Sequence, residues 1–316
     1  MSTAKALPRQ LPAQPGILQD TPSVARYLRF ELARPKALPQ ALQALSEQVD
    51  GAAVVAGLGA DAVAALGAEV PGLHAFPQWA KARKPMPATP TALWLWLRST
   101  PAHGRQRATD TGDLLARSRA FEAMLAPALK LAQVVDGFTH ARNTRGAAHD
   151  LSGFEDGTEN PADGAAVALV RGQGAGLDGG SLVAVPQWQN DWRRLQAMSR
   201  EQQDLVIGRR LRGNAEINDA PASAHVKRTA QENFAPEAFI WRRSMPWAAG
   251  QDGGLMFVAF GATLDAFEAQ LHRMVGLDDG TSDALYRFTT PVTGFTAWCP
   301  PLRRGRLDLR ALGLDA

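Results

Sequence analysis

The nine residues Gly153-Phe154-Glu155-Asp156-Gly157-Thr158-Glu159-Asn160-Pro161 gather acids, two glycines, a threonine and an Asn-Pro step. Glycine, aspartate, asparagine and proline all favour turns, so neither a regular helix nor a regular strand suits this stretch. It reads as a rigid loop that holds a carboxylate at a fixed place, with glycines that let the backbone approach a ligand closely. Asp156 is the acid such a loop would present. By itself the fragment Gly-x-x-Asp-Gly also fits an Asx turn, and Glu155 and Glu159 read as solvated loop carboxylates. A second cluster is Ile240-Trp241-Arg242-Arg243-Ser244-Met245-Pro246-Trp247. On a strand, Arg242 and Ser244 would face one way and Arg243 the other. The apolar flanks direct at least one of these arginines into a pocket. A third is Ala222-Ser223-Ala224-His225-Val226-Lys227-Arg228, which follows the turn Asn218-Asp219-Ala220-Pro221. Carboxylate, arginine and histidine are the side chains used to move protons, to stabilise negative charge and to ligate metals. Taken alone, His225 also reads as an ordinary loop histidine.

The bulk of the chain limits what these clusters can serve. Its 316 residues are 45% apolar and 21% charged, as in an ordinary soluble protein, and long enough to bury two cores. The formal net charge is +3, carried by 28 Arg and 6 Lys against 31 acids. Paired arginines at 193–194, 209–210, 242–243 and 303–304 are scattered and not interleaved with aromatics, so no nucleic-acid partner is expected. They suit the holding of buried carboxylates at least as well. A single cysteine, Cys299, excludes a disulfide framework, a CxxC zinc site and c-type haem attachment. Residues 1–16 lack the apolar core of a signal peptide and their prolines argue for disorder, so a cytoplasmic location is expected. No run of about 18 apolar residues exists, and no membrane partner is expected.

The elements that must position the clusters follow from periodicity. Residues 24–32 read as a strand. Leu38, Leu42, Leu45 and Val49 share one helical face. Residues 51–56, 93–97 and 129–138 read as strands, and 113–125 as an amphipathic helix. In the second half, strands are expected at 181–185, 239–243, 255–260 and 288–298, with a helical stretch from about 191 to 211. A last helix begins at Thr263, buries Leu264, Phe267, Leu271 and Met274, and ends at Gly276. Each half reads roughly β-α-β-β-α-β, and Val54–Asp61 faintly repeats in Phe257–Ala262. The expectation is an α+β protein of two ferredoxin-like halves, with two antiparallel sheets and flanking helices. Residues 1–23 would be a disordered lead-in, 24–146 the first domain and 147–316 the second.

The loop 153–161 closely resembles the signature loop of the dye-decolourising peroxidases, a family of haem enzymes. The resemblance extends over most of residues 24–302, and the short length and missing export signal look like its B-type members. It implies haem b, held without a covalent bond in the second half, and oxidation of dyes, phenolics or similar one-electron donors by hydrogen peroxide. It implies His225 as axial iron ligand, Asp156 as distal acid-base, Arg242 as distal cation and Ser244 as a distal polar residue, where many B-type members carry asparagine. Ile207-Gly208-Arg209 resembles the segment whose arginine meets a haem propionate. Asp283, in Thr281-Ser282-Asp283-Ala284-Leu285, matches the carboxylate that holds the proximal histidine, and it also fits a helix cap. His149 would approach a propionate. A homo-oligomer is expected. Some B-type members are packed in encapsulin shells through a C-terminal tail, which residues 307–316 match poorly. Two other readings share these residues: a porphyrin-handling protein with incidental peroxidase activity, and a haem-free binding module whose arginine pairs meet an anionic partner.

Overall fold

The computed structural model describes residues 11–84, 86–104, 106–144 and 146–314. The first half runs α1 (Pro15–Leu18), β1 (Val24–Leu32), α2 (Leu38–Ser46), β2 (Val54–Leu58), α3 (Ala60–Ala65), β3 (Leu93–Arg98), α4 (Thr111–Leu125) and β4 (Leu129–Phe138). The second opens with the short strands β5 (Ala148–His149) and β6 (Glu155–Asp156), then α5 (Gly164–Ala168), β7 (Ser181–Ala184), β8 (Gln187–Asn190), α6 (Trp192–Ala197), α7 (Arg200–Ile207) and α8 (His225–Arg228). It continues with β9 (Trp241–Arg242), β10 (Met245–Ala249), β11 (Asp252–Met256), β12 (Ala259–Gly261), α9 (Asp265–Met274), β13 (Thr289–Thr293) and β14 (Thr296–Cys299), and ends in the small hairpin of β15 (Leu302–Arg303) and β16 (Arg306–Leu307) and a short 3₁₀ turn.

The expected α+β ferredoxin-like class is present. The first half pairs its strands in the order β4-β1-β3-β2, all antiparallel. In the second half each long strand bends and is split in two, as β7/β8, β9/β10, β11/β12 and β13/β14. Each set of halves keeps the same order, β13-β8-β11-β10 and β14-β7-β12-β9. The two sheets expected from the sequence are joined as one sheet of twelve strands. The joins are narrow: β10 meets β4 at Trp247 and Gly137, and β14 meets β2 at Trp298 and Leu58. β9 runs on into β10 through Arg243-Ser244, so the chain itself, not strand pairing, links the last strand of the order back to β10.

One face of this sheet packs beneath α2, α4 and α9, through Leu42, Leu45, Leu114, Phe121, Phe267 and Leu271 among others. The other face holds Tyr27, Trp94, Trp96, Phe260 and Phe295. Tyr27 stacks on both tryptophans, with ring centroids 6.4 and 6.1 Å apart. β3 supplies both faces, Leu93, Leu95 and Leu97 to one and Trp94 and Trp96 to the other, which explains its unbroken apolar run.

Other expectations need correcting. Residues 11–23 are ordered: Gln14 is fully buried and its amide bonds Ala56 and Pro300, so this part of the expected lead-in belongs to the fold. Residues 1–10 lie outside the described residues. The helix expected over 191–211 is two, because Ser199 and Gln202 form a reciprocal cap that starts α7 anew. The described residues 67–92 form no helix or strand, and cross onto α9, where Phe76 meets Phe267 edge-on at 5.8 Å. Among the described residues of the C-terminal segment, Leu307, Leu309 and Leu312 are buried in the main core.

Candidate active site

The loop carrying Asp156 is built on Asp150. Its Oδ1 accepts from the Ser152 amide at 2.9 Å, the Ser152 hydroxyl at 2.6 Å and the Phe154 amide at 3.2 Å. Phe154 anchors the turn by packing with Leu195, Val206 and Ile207. The chain then returns as β6, where Asp156 pairs with Ala148 and Glu155 with His149. Gly157 follows at φ +78°, a conformation that costs other residues, and turns the chain away directly after the carboxylate. Burial pushes the Asp150 carboxyl up to about 6; the Ser152 donors oppose this, and the negative charge of Asp156 adds to it.

The loop is then sewn to the arginine strand. Asn160 Oδ1 accepts from the Arg242 amide at 2.7 Å, and Asn160 Nδ2 donates to the Arg242 carbonyl at 3.1 Å. Buried Gln231 adds a second stitch: its Nε2 donates to the Glu159 carbonyl at 2.7 Å, and its Oε1 accepts from the Ile240 amide at 2.9 Å. The Asn-Pro step that ends the loop thus fixes the main chain of Arg242. Arg242 Nε is buried with no hydrogen-bond partner among the described residues. Such a group is costly unless something else satisfies it. Arg243 turns elsewhere, with its guanidinium 4.0 Å over the Trp241 ring, and burial lowers it to about 10.

His225 begins α8, and its Nδ1 lies 2.8 Å from Asp283 Oδ2. The other oxygen of Asp283 accepts from the Leu285 amide at 2.8 Å and caps a short 3₁₀ turn. The helix-cap and histidine-partner readings of Asp283 are therefore both met by one carboxylate.

Three adjoining spaces meet here. An apolar slot with about 750 Å³ not filled by atoms, partly open to solvent, is lined by Leu255, Phe257, Phe267, Leu271, Met274 and Leu285. His225, Asp156 and Arg242 also line it. A polar space beside it is bounded by Asp156, Asn160, Arg242, Ser244 and His149. A third opening brings Arg209 together with Asp156, His225 and Arg242. An apolar slot with a carboxylate-backed imidazole and an unsatisfied guanidinium suits a flat, largely apolar group carrying a metal and anionic arms.

The structure thus brings Asp156, Arg242 and His225 to one slot, with Asp283 behind His225. Ser244 and His149 border only the polar space. The Ser244 hydroxyl accepts from the Val258 amide at 3.2 Å, and His149 Nδ1 lies 2.6 Å from the Ala141 carbonyl. Arg209 is held by Glu159 at 2.7 Å and Glu216 at 3.2 Å, so Glu159 is not merely solvated. Sequence reasoning passed over Asp150, Asn160 and Gln231. The Asp-x-Ser spacing and the Asn-Pro step were the signals available for the first two.

The family described as "Dyp-type peroxidase, C-terminal" matches residues 147–304. A dye-decolorizing peroxidase of Rhodococcus erythropolis is 31% identical over 260 residues, which cover 79% of this chain and 72% of that protein. Among solved structures, the dye-decolorizing protein from V. cholerae superimposes with a TM-score of 0.76 at 26% identity, over 95% of this chain and 99% of that one. A DypB variant of Rhodococcus jostii RHA1 in complex with heme gives 0.75 at 22% identity, over 94% and 97%, and shares the fold. With a site of carboxylate, arginine and histidine standing in the matched segment, the chain belongs to the Dyp-type, dye-decolorizing peroxidase family and is a peroxidase.

Proposed function

We propose that this peroxidase holds haem b without a covalent bond in the apolar slot, reduces hydrogen peroxide there, and oxidises dyes, phenolics or similar one-electron donors. The observation that carries this reading is the meeting of His225, Asp156 and Arg242 in one slot whose remaining wall is mainly apolar, with Asn190, Thr229, Gln270 and Thr289 among its lining. The heme named in the Rhodococcus jostii complex supports the choice of group. Bound haem would supply the iron at which peroxide is cleaved and the store of oxidising equivalents.

The chain's residues do the rest. Asp283 accepts the Nδ1 proton of His225, which fixes the tautomer, leaves Nε2 to face the metal and makes the imidazole a stronger donor. Asp156 takes the proton from the near oxygen of peroxide and returns it to the departing oxygen, which leaves as water. Arg242 donates to the negative charge that develops as the O–O bond lengthens. Asn160 and Gln231 keep loop and strand in register, so that acid and cation act on one molecule. Ser244 offers its hydroxyl proton to the polar space, through which peroxide and water would pass. Arg209 and His149 would meet the propionates. The apolar wall excludes bulk water and strengthens these interactions.

The test is an absorption spectrum of the haem-loaded protein before and within milliseconds of one equivalent of hydrogen peroxide. A rapid change of the Soret band, with steady turnover of an added dye, is expected. Arg242→Leu and Asp156→Ala should slow that change while haem stays bound. His225→Ala should lose most of its haem, and a His225→Ala protein with full haem and an unchanged spectrum would remove the ligand assignment.

A further inference from the structure

The strand that presents Arg242 is weak by itself. β9 is two residues long, stands last in the sheet order, and pairs with β12 on one side only. Asn160 bonds the main chain of Arg242 on the other side, and the amino-terminal segment meets the side chains of the two neighbours of Arg242. Trp241 Nε1 donates to the Ile17 carbonyl at 2.9 Å, and Arg243 Nη2 donates to the Leu18 carbonyl at 2.6 Å. These carbonyls stand at the carboxyl end of α1, a single helical turn, where carbonyls have no intrahelical partner. Ile17 is fully buried on the aromatic face of the sheet. The segment is seated tightly: a Cβ at Gly16 would fall 2.6 Å from Arg98 Nη1 and from Val55 Cγ2.

We infer that residues 14–20 are a plug that sets the placement of the Arg242 guanidinium, with Trp241 and Arg243 as positioning residues on either side of it. The inference rests on the reading of Arg242 as the cation of the peroxide site. Its physical content is that Arg242 is clamped twice, through its own main chain by Asn160 and through its two neighbours by the plug. A residue held from both sides cannot twist with its short strand, and its guanidinium is then pre-organised toward the site.

Fluoride binding to the haem-loaded full chain tests this without turnover. A small anion at the iron on the Arg242 side accepts a charge-assisted hydrogen bond, so its affinity reports where the guanidinium sits. The affinity is read by optical titration in Trp241→Phe, which keeps an aromatic ring under Arg243 but removes the indole N–H, and in Gly16→Val, which unseats the plug without touching β9. Each should weaken fluoride by about tenfold, the scale of one hydrogen bond to a charged group. Both are then repeated with Arg242→Leu. If they act through Arg242, neither lowers fluoride affinity further once the guanidinium is gone. A further loss of the same size in that background would overturn the proposal, as would unchanged affinity in Trp241→Phe alone. Unchanged affinity in Arg242→Leu itself is a separate outcome, which would remove the role of Arg242 and the plug's role with it. Should Gly16→Val fail to fold, the Trp241→Phe cycle decides the question by itself.

Discussion

The Nδ1 atom of His225 stands 2.8 Å from Oδ2 of Asp283, while Oδ1 of the same carboxylate caps the turn that carries it. The partner of the histidine is thus locked by its own backbone before any ligand arrives. Asp283 belongs to the segment between α9 and β13, and His225 to α8, so this pair also ties two elements of the second half together.

The first prediction follows from that double role. Asp283→Asn keeps an oxygen for the Leu285 amide but leaves His225 without an anionic partner. Haem should still bind, its reduction potential should rise, and the rate of peroxide cleavage should fall about 10–100-fold, the usual scale for such partners. Asp283→Ala also loses the cap, at about 1 kcal/mol of stability. Spectroelectrochemistry with thermal melts separates the two effects. A potential unchanged in Asp283→Asn would show that the carboxylate only caps.

Asp150 should leave a signature in the pH dependence of stability. Its carboxyl is pushed up to about 6 in the folded protein, from an ordinary 3.8. Between those values the folded state holds a proton that the unfolded chain has released, so stability is full below about pH 4 and falls as pH rises to about 6. The two-unit difference corresponds to on the order of 3 kcal/mol. Asp279 works in the opposite sense and a lower window: the hydrogen bond from Arg228 holds it down at about 2, so its contribution is lost as pH falls from about 4 to 2. Asp150→Asn keeps an acceptor for Ser152 and Phe154, so melts from pH 3 to 7 should lose only the fall between about 4 and 6. An identical profile in variant and parent would place that proton elsewhere.

Asn160 is the cheapest way to loosen the site without removing a reacting group. Asn160→Ala breaks both hydrogen bonds to the Arg242 main chain and should lower stability by about 1–3 kcal/mol. The second-order rate of the Soret change with peroxide should drop about tenfold with haem content unaltered. Asn160→Asp, which still accepts from the Arg242 amide but cannot donate to its carbonyl, should fall between. Stopped-flow traces of the three proteins at equal haem load check the order, and equal rates would mean that the loop does not hold the arginine.

How much of this was legible in the sequence varies with the range of the interaction. β1, β3, β4 and the buried face of α9 follow from local periodicity, because their pattern is set by one packed face or by two. The joining of the halves is not legible: it depends on two register pairs, Trp247 with Gly137 and Trp298 with Leu58, between segments far apart in the chain. Of the second-half strands, 255–260 and 288–298 run across their bends in the sequence reading, because a bend leaves the alternation of side chains almost intact, whereas 181–185 and 239–243 stop at theirs and leave β8 and β10 unread. At the site, Asp156, His225 and Arg242, the side chains proposed to carry the chemistry, stand in distinctive strings and so could be singled out. Those that act on backbone, such as Gln231 and Gln14, look like any buried or exposed glutamine until the fold supplies their partners. The amino-terminal plug was missed for a related reason, since its prolines suggest disorder while its hold on β9 comes from side chains far along the chain, Trp241 and Arg243, that donate to its carbonyls.

Arg209 offers a prediction with two signs. Its guanidinium is shared by Glu159 and Glu216, and it also donates to the Asn214 carbonyl at 3.1 Å. A haem propionate arriving at this opening would be a third carboxylate competing for one cation. Arg209→Ala removes the attraction and should weaken haem binding about tenfold, the scale of one hydrogen bond to a charged group. Glu159→Gln removes a competitor and a nearby negative charge together, so it should tighten haem binding by a few-fold, and more at low salt because Glu159 is largely exposed. Titration of the haem-free protein with haem at two ionic strengths gives both numbers. If Glu159→Gln weakens haem as Arg209→Ala does, the glutamate holds the arginine in its working position rather than competing for it. If neither changes, the propionates are held elsewhere and His149 becomes the residue to substitute next.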